Sequence, residues 1–317
     1  MLPPTLHKLS PVEIKAITDK VREPFLASVD QLRIGSGLEQ VLVDLYIPLA
    51  ATLTRKAQNR DSPLLVGING AQGSGKSTLC QLLQIVLKEG FSKQVATLSI
   101  DDIYLTLAER QTLAKEIHPL LVTRGVPGTH DVNLGLQLIS AFRELRQGQQ
   151  IDVPVFDKAI DDRLPRKKWQ QVSGPLDLVL FEGWCVGAQA QTEEELAEPV
   201  NSLESDEDPD QSWRHYVNRQ LQQEYNKLFN ELDFLVMLKI PGMSSVMEWR
   251  GKQEHKLAQT TSHGDQKIMD AKALQRFIMH YERLTRSMLT EMSDRADLVF
   301  EINANHQIND VQINTPF

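Results

Sequence analysis

Cysteine is nearly missing from this 317-residue chain, which carries only Cys80 and Cys185. Neither sits at a metal-ligand spacing, so a zinc finger or ribbon is excluded. The simplest expectation is two buried reduced thiols of a cytosolic protein, with a single disulfide left open. Long apolar runs are also missing: nothing approaches the roughly 18 residues that a membrane helix needs. The start, "MLPPTLHKLS", lacks the basic segment and apolar core of a secretory signal, so a cytoplasmic location is expected. A basic excess is absent as well. The formal net charge is −8, which disfavours general nucleic-acid binding, since that needs a basic face.

The acidity is local. Nine acidic residues and no Lys or Arg lie between Glu193 and Asp210, and without them the remainder is about +1. Such a run is expected to be a solvated loop, at about 192–212. Hydrophobic content of 41% and charged content of 24% are those of an ordinary globular chain, long enough for one large α/β domain or two small ones.

Along the chain, "SPVE" at Ser10–Glu13 reads as a helix start, with Ser as cap, Pro at the first position and Glu reaching back. A second amphipathic segment runs from Gly37 to Lys56, with Pro48 expected to bend or break it. Residues 1–60 are read as a helical extension packed on a main domain at 61–317. There, apolar runs at 64–69, 95–100, 177–182, 233–240 and 297–302 alternate with helical patterns such as Lys76 to Glu89 and Val132 to Gln147. That alternation predicts right-handed crossovers and a mainly parallel sheet with helices on both faces. Ligands of such sheets bind beyond the carboxyl ends of the strands.

The first of these strands leads into "GINGAQGSGKST", at 67–78. A turn that only reverses direction needs one or two glycines. Here Gly70-Ala71-Gln72-Gly73-Ser74-Gly75-Lys76-Ser77-Thr78 matches the Walker A pattern, with a strand before it and a helix after it. Glycine lets backbone N–H groups converge on phosphate oxygens, and the helix aims its unpaired N–H groups at the same anion. Lys76 suits the β/γ-phosphates of ATP, and Ser77 offers a hydroxyl to Mg²⁺. The chain is therefore expected to hold an α/β P-loop NTPase three-layer fold with a nucleotide site.

Two further strand ends carry acids: Asp101-Asp102-Ile103-Tyr104 after 95–100, and Glu182 after 177–181. They suit a base for a substrate hydroxyl and a Mg²⁺ ligand, though carboxylates at strand ends can also be plain helix caps. The loops "TRGVPGTHD" and "VPVFDKAIDDR" bring Arg124, His130, Asp131, Asp157, Lys158 and Arg163, a set suited to a small anionic substrate. Singly, each could be a surface ion pair.

With "SIDDIYLT", "RGVPGTHD", "PVFDK", "FEGW" and "EWRGKQE" in that order, the chain resembles the D-glycerate 3-kinase family of plants, fungi and cyanobacteria. That family lies in the phosphoribulokinase/uridine kinase/pantothenate kinase branch of P-loop kinases. The resemblance begins near Leu42, in "LVDLYIPLA", and reaches the C-terminal strand. It implies ATP-dependent phosphorylation of D-glycerate with Mg²⁺. Asp101 resembles the branch's catalytic aspartate, although the adjacent Asp102 leaves the identity of the base open. Glu182 resembles the acid on the Mg²⁺ side, and Arg250 a lid arginine in a helical lid at about 243–290. Asp102, Tyr104, Arg124, His130, Asp131, Lys158 and Arg163 would line the acceptor site. Two alternatives stay open: a related kinase of pantothenate, a nucleoside or a sugar phosphate, or a non-catalytic nucleotide-binding regulator using the acidic segment as a partner surface.

Overall fold

The computed structural model of the chain describes residues 2–34, 38–260 and 269–315. Among the described residues ten strands occur in chain order: β1 Leu64–Gly70, β2 Val95–Ser99, β3 Gln150–Val153, β4 Phe156–Asp157, β5 Asp162–Arg163, β6 Gln170–Ser173, β7 Leu178–Gly183, β8 Phe234–Lys239, β9 Leu298–Ile302 and β10 Ile308–Ile313. Six form the main sheet in the order β10-β9-β8-β1-β7-β2. Every pairing is parallel except β9 with β10. The all-apolar runs explain this: β1 and β7 are buried along their whole length, as strands covered on both faces must be. β10 has no buried residue and closes one edge antiparallel, a strand that the apolar-run criterion does not find. The registers bring Ile68 of β1, Glu182 of β7 and Ser99 of β2 side by side, so three strand ends open onto one crevice.

Helices cover both faces. On one, Phe25, Tyr46, Ile47 and Leu49 from the N-terminal helices pack with Leu79, Leu82 and Leu83 of the Lys76–Ile85 helix against β1 and β8. The Ser10–Glu13 capping box is present at the start of the Pro11–Leu32 helix. Pro48 does not break the following helical stretch. A wider π-type turn, Leu42–Tyr46, immediately precedes it, relieving the carbonyl four residues back that the proline ring would otherwise meet. On the other face, Ile139, Phe142, Tyr225, Leu228, Leu284 and Met288 pack against β7, β8 and β9. Both cysteines are buried and free, so the disulfide alternative falls. Among the described residues no helix is long and apolar enough to cross a membrane.

Two expectations are corrected here. The stretch at 192–212 is not a solvated loop but folds into helices Glu193–Ala197 and Ser202–Glu207, pinned by buried Leu196 and Leu203. Inside it Glu204 is fully buried, accepting from Arg283 Nε at 2.8 Å and Nη2 at 2.7 Å and from the Val200 N–H at 2.9 Å. Asp208 is buried as well, and accepts from the Trp213 N–H at 2.8 Å. A run of like charges can fold when its inward members meet buried cations and helix N-termini. The helical lid expected at about 243–290 also changes. Its second half, the Ala271–Glu291 helix, buries Leu274, Ile278, Tyr281, Leu284 and Met288, and could not swing without opening the core. Residues 261–268 of that span lie outside the described residues.

Candidate active site

The phosphate loop is shaped by two glycines with positive φ. Gly75 (φ +92°) caps the Lys76–Ile85 helix, and its missing Cβ would face open space within 4 Å. Gly73 (φ +82°) lies against Trp249, whose Cβ would be 2.9 Å from any added Cβ. Between them Ser74 donates its N–H to the Ala71 carbonyl at 3.1 Å. Lys76 and Thr78 are half-buried in the first helical turn, and Ser77 Oγ donates to Glu182 Oε1 at 2.9 Å. The other carboxylate oxygen, Glu182 Oε2, and Ser74 Oγ are buried without a hydrogen-bond partner. A buried unpartnered carboxylate oxygen beside a hydroxyl is costly unless something fills the site, and this pair fits a hard cation such as Mg²⁺.

From β2 the chain turns through a short 3₁₀ segment, Ile100–Ile103, which sets the two aspartates in different surroundings. Asp101 Oδ2 receives Lys158 Nζ at 2.6 Å. Burial pushes its pKa up, but Lys158, then Lys76 and the Tyr104 hydroxyl, outweigh that and hold it down at about 2. Asp102 Oδ1 instead accepts the Phe156 N–H at 3.2 Å. Burial dominates there, reinforced by the charges of Asp101 and Glu182, and pushes its carboxyl up to about 6. The doublet is thus split into a firmly ionised member and one that titrates near neutrality.

The side expected to take the acceptor is built by the 123–131 loop and the β4–β5 hairpin. Trp184 Nε1 donates to the Gly125 carbonyl at 2.9 Å, while Asn69 of β1 donates to the Trp184 and Val186 carbonyls at 3.1 and 2.9 Å. "FEGW" and "RGVPG" are therefore fastened to the central strand and to each other. Arg124 pairs with Asp161 at the hairpin tip and lies 5.5 Å from the Phe156 ring centroid. Arg163 spends Nε and Nη2 on the Tyr104 carbonyl at 3.2 and 2.7 Å and reaches Asp131 at 3.4 Å. Asp131 in turn caps the Val132–Glu144 helix through the Leu134 N–H at 3.0 Å. Arg163 and Asp131 are thereby scaffold, while Asp101, Asp102, Tyr104, Arg124, His130 and Lys158 are linked to one another through direct contacts or through Phe156. His130 is buried, stacks on Tyr104 at 4.4 Å and meets Tyr225 Oη through Nδ1 at 2.6 Å.

Several residues that shape the candidate site escape sequence reasoning. Fully buried Arg110 holds the Leu105, Val122 and Asp161 carbonyls at 3.2, 2.6 and 2.7 Å, and so fixes the hairpin. Its helix shows no amphipathic signal that would single it out. His306 Nε2 meets the Gly73 carbonyl at 2.9 Å and its ring lies 3.9 Å from that of Trp249. Trp249 Nε1 donates to the Ala304 carbonyl at 3.2 Å. The Met243–Thr260 helix is thus anchored beside the phosphate loop, with the Arg250 guanidinium 5.7 Å from the Phe277 ring centroid. Two further cations of the 243–290 span are engaged with acids: Arg283 with Glu204, and Arg286 with Glu282 at 2.6 Å. The Lys256 side chain lies outside the described residues.

The phosphoribulokinase/uridine kinase family model matches residues 65–197. An uncharacterized kinase of Schizosaccharomyces pombe is 31% identical over 261 residues, covering 78% of this chain and 87% of that protein. The chloroplastic D-glycerate 3-kinase of Arabidopsis thaliana is 30% identical over 310 residues, covering 91% of this chain and 65% of that protein. Among solved structures, the D-glycerate 3-kinase of Cryptococcus neoformans superposes with a TM-score of 0.69 at 27% identity, covering 88% of this chain and 99% of that one.

Proposed function

We propose, from the premise that this chain belongs to the phosphoribulokinase/uridine kinase family, that it transfers the terminal phosphoryl group of ATP to the 3-hydroxyl of D-glycerate, giving 3-phosphoglycerate and ADP. The observation that carries this reading is the site itself: an anion-shaped loop whose Lys76 charge reaches an ionised Asp101, with Lys158 on that aspartate and Arg124 held by Asp161 of the same β4–β5 hairpin. An acceptor that is small and anionic suits these cations better than a neutral nucleoside does, and a guanidinium fork matches a carboxylate. The relatives that carry the name D-glycerate 3-kinase support the same substrate. A cytoplasmic site of action agrees with the two free buried thiols.

Phosphoryl transfer leaves the protein little covalent work, so catalysis rests on positioning and charge. Lys76 and the backbone N–H groups of Gly73, Gly75, Lys76 and Ser77 hold the β- and γ-phosphates in line. Asp101 orients the acceptor hydroxyl and takes its proton. Lys158, paired with Asp101 before substrate enters, turns to the acceptor's anionic end. Ser77 and Glu182 would hold Mg²⁺, which supplies charge neutralisation between the phosphates when bound. Arg250, on the helix anchored by Trp249, adds positive charge from the opposite side.

Coupled ADP release measured with D-glycerate, pantothenate, uridine and ribulose 5-phosphate tests this. Turnover is expected with D-glycerate and at most traces with the others. A clear preference for another acceptor would leave a kinase of different substrate. Seven of the nine acidic residues at 193–210 stay exposed, so an absence of acceptor-dependent turnover would favour the regulator alternative, with that segment as its partner surface.

A further inference from the structure

Tyr225 lies 95 residues from His130 in sequence, and no motif points to it. Its hydroxyl accepts the Gly128 N–H at 2.9 Å, so its own hydrogen cannot point there. Its other polar contacts are both with His130: the backbone N–H, which also donates to the hydroxyl oxygen, and Nδ1, at 2.6 Å. Tyr225 is fully buried, and burial drives its pKa far up, so the phenol keeps its proton. The Tyr225 O–H therefore donates to Nδ1, which must be the bare nitrogen of the ring. Burial also pushes the His130 pKa down to about 3, leaving a neutral imidazole with one proton. That proton is on Nε2.

Nε2 is buried and has no hydrogen-bond partner, in a side chain only 4% exposed. A satisfied core histidine would not leave that N–H orphaned. The ring is stacked on Tyr104, whose hydroxyl bonds Asp101, and Asp101 is the charged group whose field reaches the imidazole. We propose that Tyr225 is a positioning residue that locks His130 in the Nε2–H tautomer, making the ring a neutral donor to an oxygen of the acceptor substrate beside Asp101. This deepens the reading of the cleft as the acceptor site and rests on it. A neutral donor suits the place: an imidazolium would compete with Lys158 for Asp101, whereas an N–H dipole orients the acceptor without altering the charge around the base.

Nitrogen-15 spectra of the histidine rings test the tautomer directly. His130 should show the Nε2–H pattern unchanged from pH 5 to 8, and its Nε2 resonance should shift when D-glycerate binds. Tyr225→Phe should raise KM for D-glycerate about tenfold while leaving KM for ATP unchanged. His130→Gln, whose amide reaches the Nε2 position, should recover more kcat/KM than His130→Asn, which reaches only Nδ1; a merely structural ring would show no such order. An Nδ1–H pattern overturns the inference whatever the acceptor is. So does an Nε2 signal blind to D-glycerate in an enzyme that phosphorylates it. If the enzyme turns over a different acceptor of the panel, the glycerate reading fails, and the same titration with that acceptor decides the role of His130. The wild-type spectrum keeps the test intact even if Tyr225→Phe folds poorly.

Discussion

The two halves of the cleft are built on opposite principles. The phosphate side is open and incomplete: Glu182 Oε2 and Ser74 Oγ are unpartnered, and Gly75 faces empty space. The acceptor side is almost self-satisfied, with Lys158 on Asp101, Arg124 on Asp161, and Arg163 on Tyr104 and Asp131. A nucleotide phosphate fills a cradle made mainly of backbone, whereas an acceptor must displace ion pairs that already exist. Affinity belongs to the first arrangement. Selectivity belongs to the second, because only a ligand that replaces the lost partners avoids leaving charges unpaired.

The contrast breaks first at Lys76, which serves the open side. Lys76→Ala should lower kcat about 10²–10³-fold, on the scale of losing one preorganised electrostatic group, with Tm close to wild type because the side chain holds no core contact. Near-normal turnover in a steady-state assay would remove the nucleotide site from this loop.

The aspartates come next. Asp101→Asn should cost about 10²-fold in kcat, as loss of a general base does, with little change in KM for ATP. Asp102 titrates near 6 and Asp101 near 2, so wild-type activity should fall only several-fold as pH drops through about 6, by protonation of Asp102. Asp102→Asn should flatten that limb and stay within about tenfold of wild type at pH 8. The sign for stability follows from its raised pKa. Ionised Asp102 burdens the fold above pH 6 and not below its unfolded pKa, so Asp102→Asn should raise Tm at pH 8 and leave it unchanged at pH 4. An exchange of the two activity patterns would make Asp102 the base.

What was legible in the sequence follows the same division. The phosphate loop is contiguous, and its strand and helix lie next to it, so Gly70 to Thr78 could be read whole. β1, β2, β7, β8 and β9 appear within a residue of their expected limits, since strands buried on both faces leave continuous apolar runs. The acceptor side depends on partners chosen in three dimensions. Nothing local tells Asp161 from Asp162, yet the first takes Arg110 and Arg124 while the second forms part of β5. Glu204 looks like any of nine acidic residues until Arg283 is seen beside it. Arg163 reads as a carboxylate fork, but a backbone carbonyl occupies it.

Arg124 then tests whether the acceptor side is as selective as its pairing suggests. Arg124→Ala should raise KM for D-glycerate about 10–100-fold, the range for a hydrogen bond to a charged group, and KM for ATP far less. Glycerol keeps the hydroxyls but lacks the carboxylate, so wild type should reject it by about 10⁴ in kcat/KM. The variant should narrow that ratio. Arg163→Ala should act otherwise, lowering Tm through loss of its bonds to Tyr104 and affecting both substrates' kinetics together. If neither change narrows the ratio, Lys158 or His130 holds the carboxylate.

The smallest effect is expected at His306, where a side chain of the last loop steadies the open half. Its Nε2 meets the Gly73 carbonyl at 2.9 Å, and its ring lies on Trp249, which itself packs against Gly73. Nε2 must donate in that contact, since the carbonyl can only accept, so the neutral Nε2–H tautomer and the protonated ring both serve. His306→Ala removes one exposed hydrogen bond, worth about 1 kcal/mol net. The loop keeps its shape through Gly73, Gly75 and the Ser74 to Ala71 turn, so KM for ATP should rise by a factor of only about 2–5, with kcat and KM for D-glycerate within twofold. His306→Gln, which can donate from a similar reach, should restore most of the loss. A change in KM for D-glycerate as large as that for ATP would show that the two halves are mechanically coupled, and the division between an open donor side and a self-satisfied acceptor side would have to be given up.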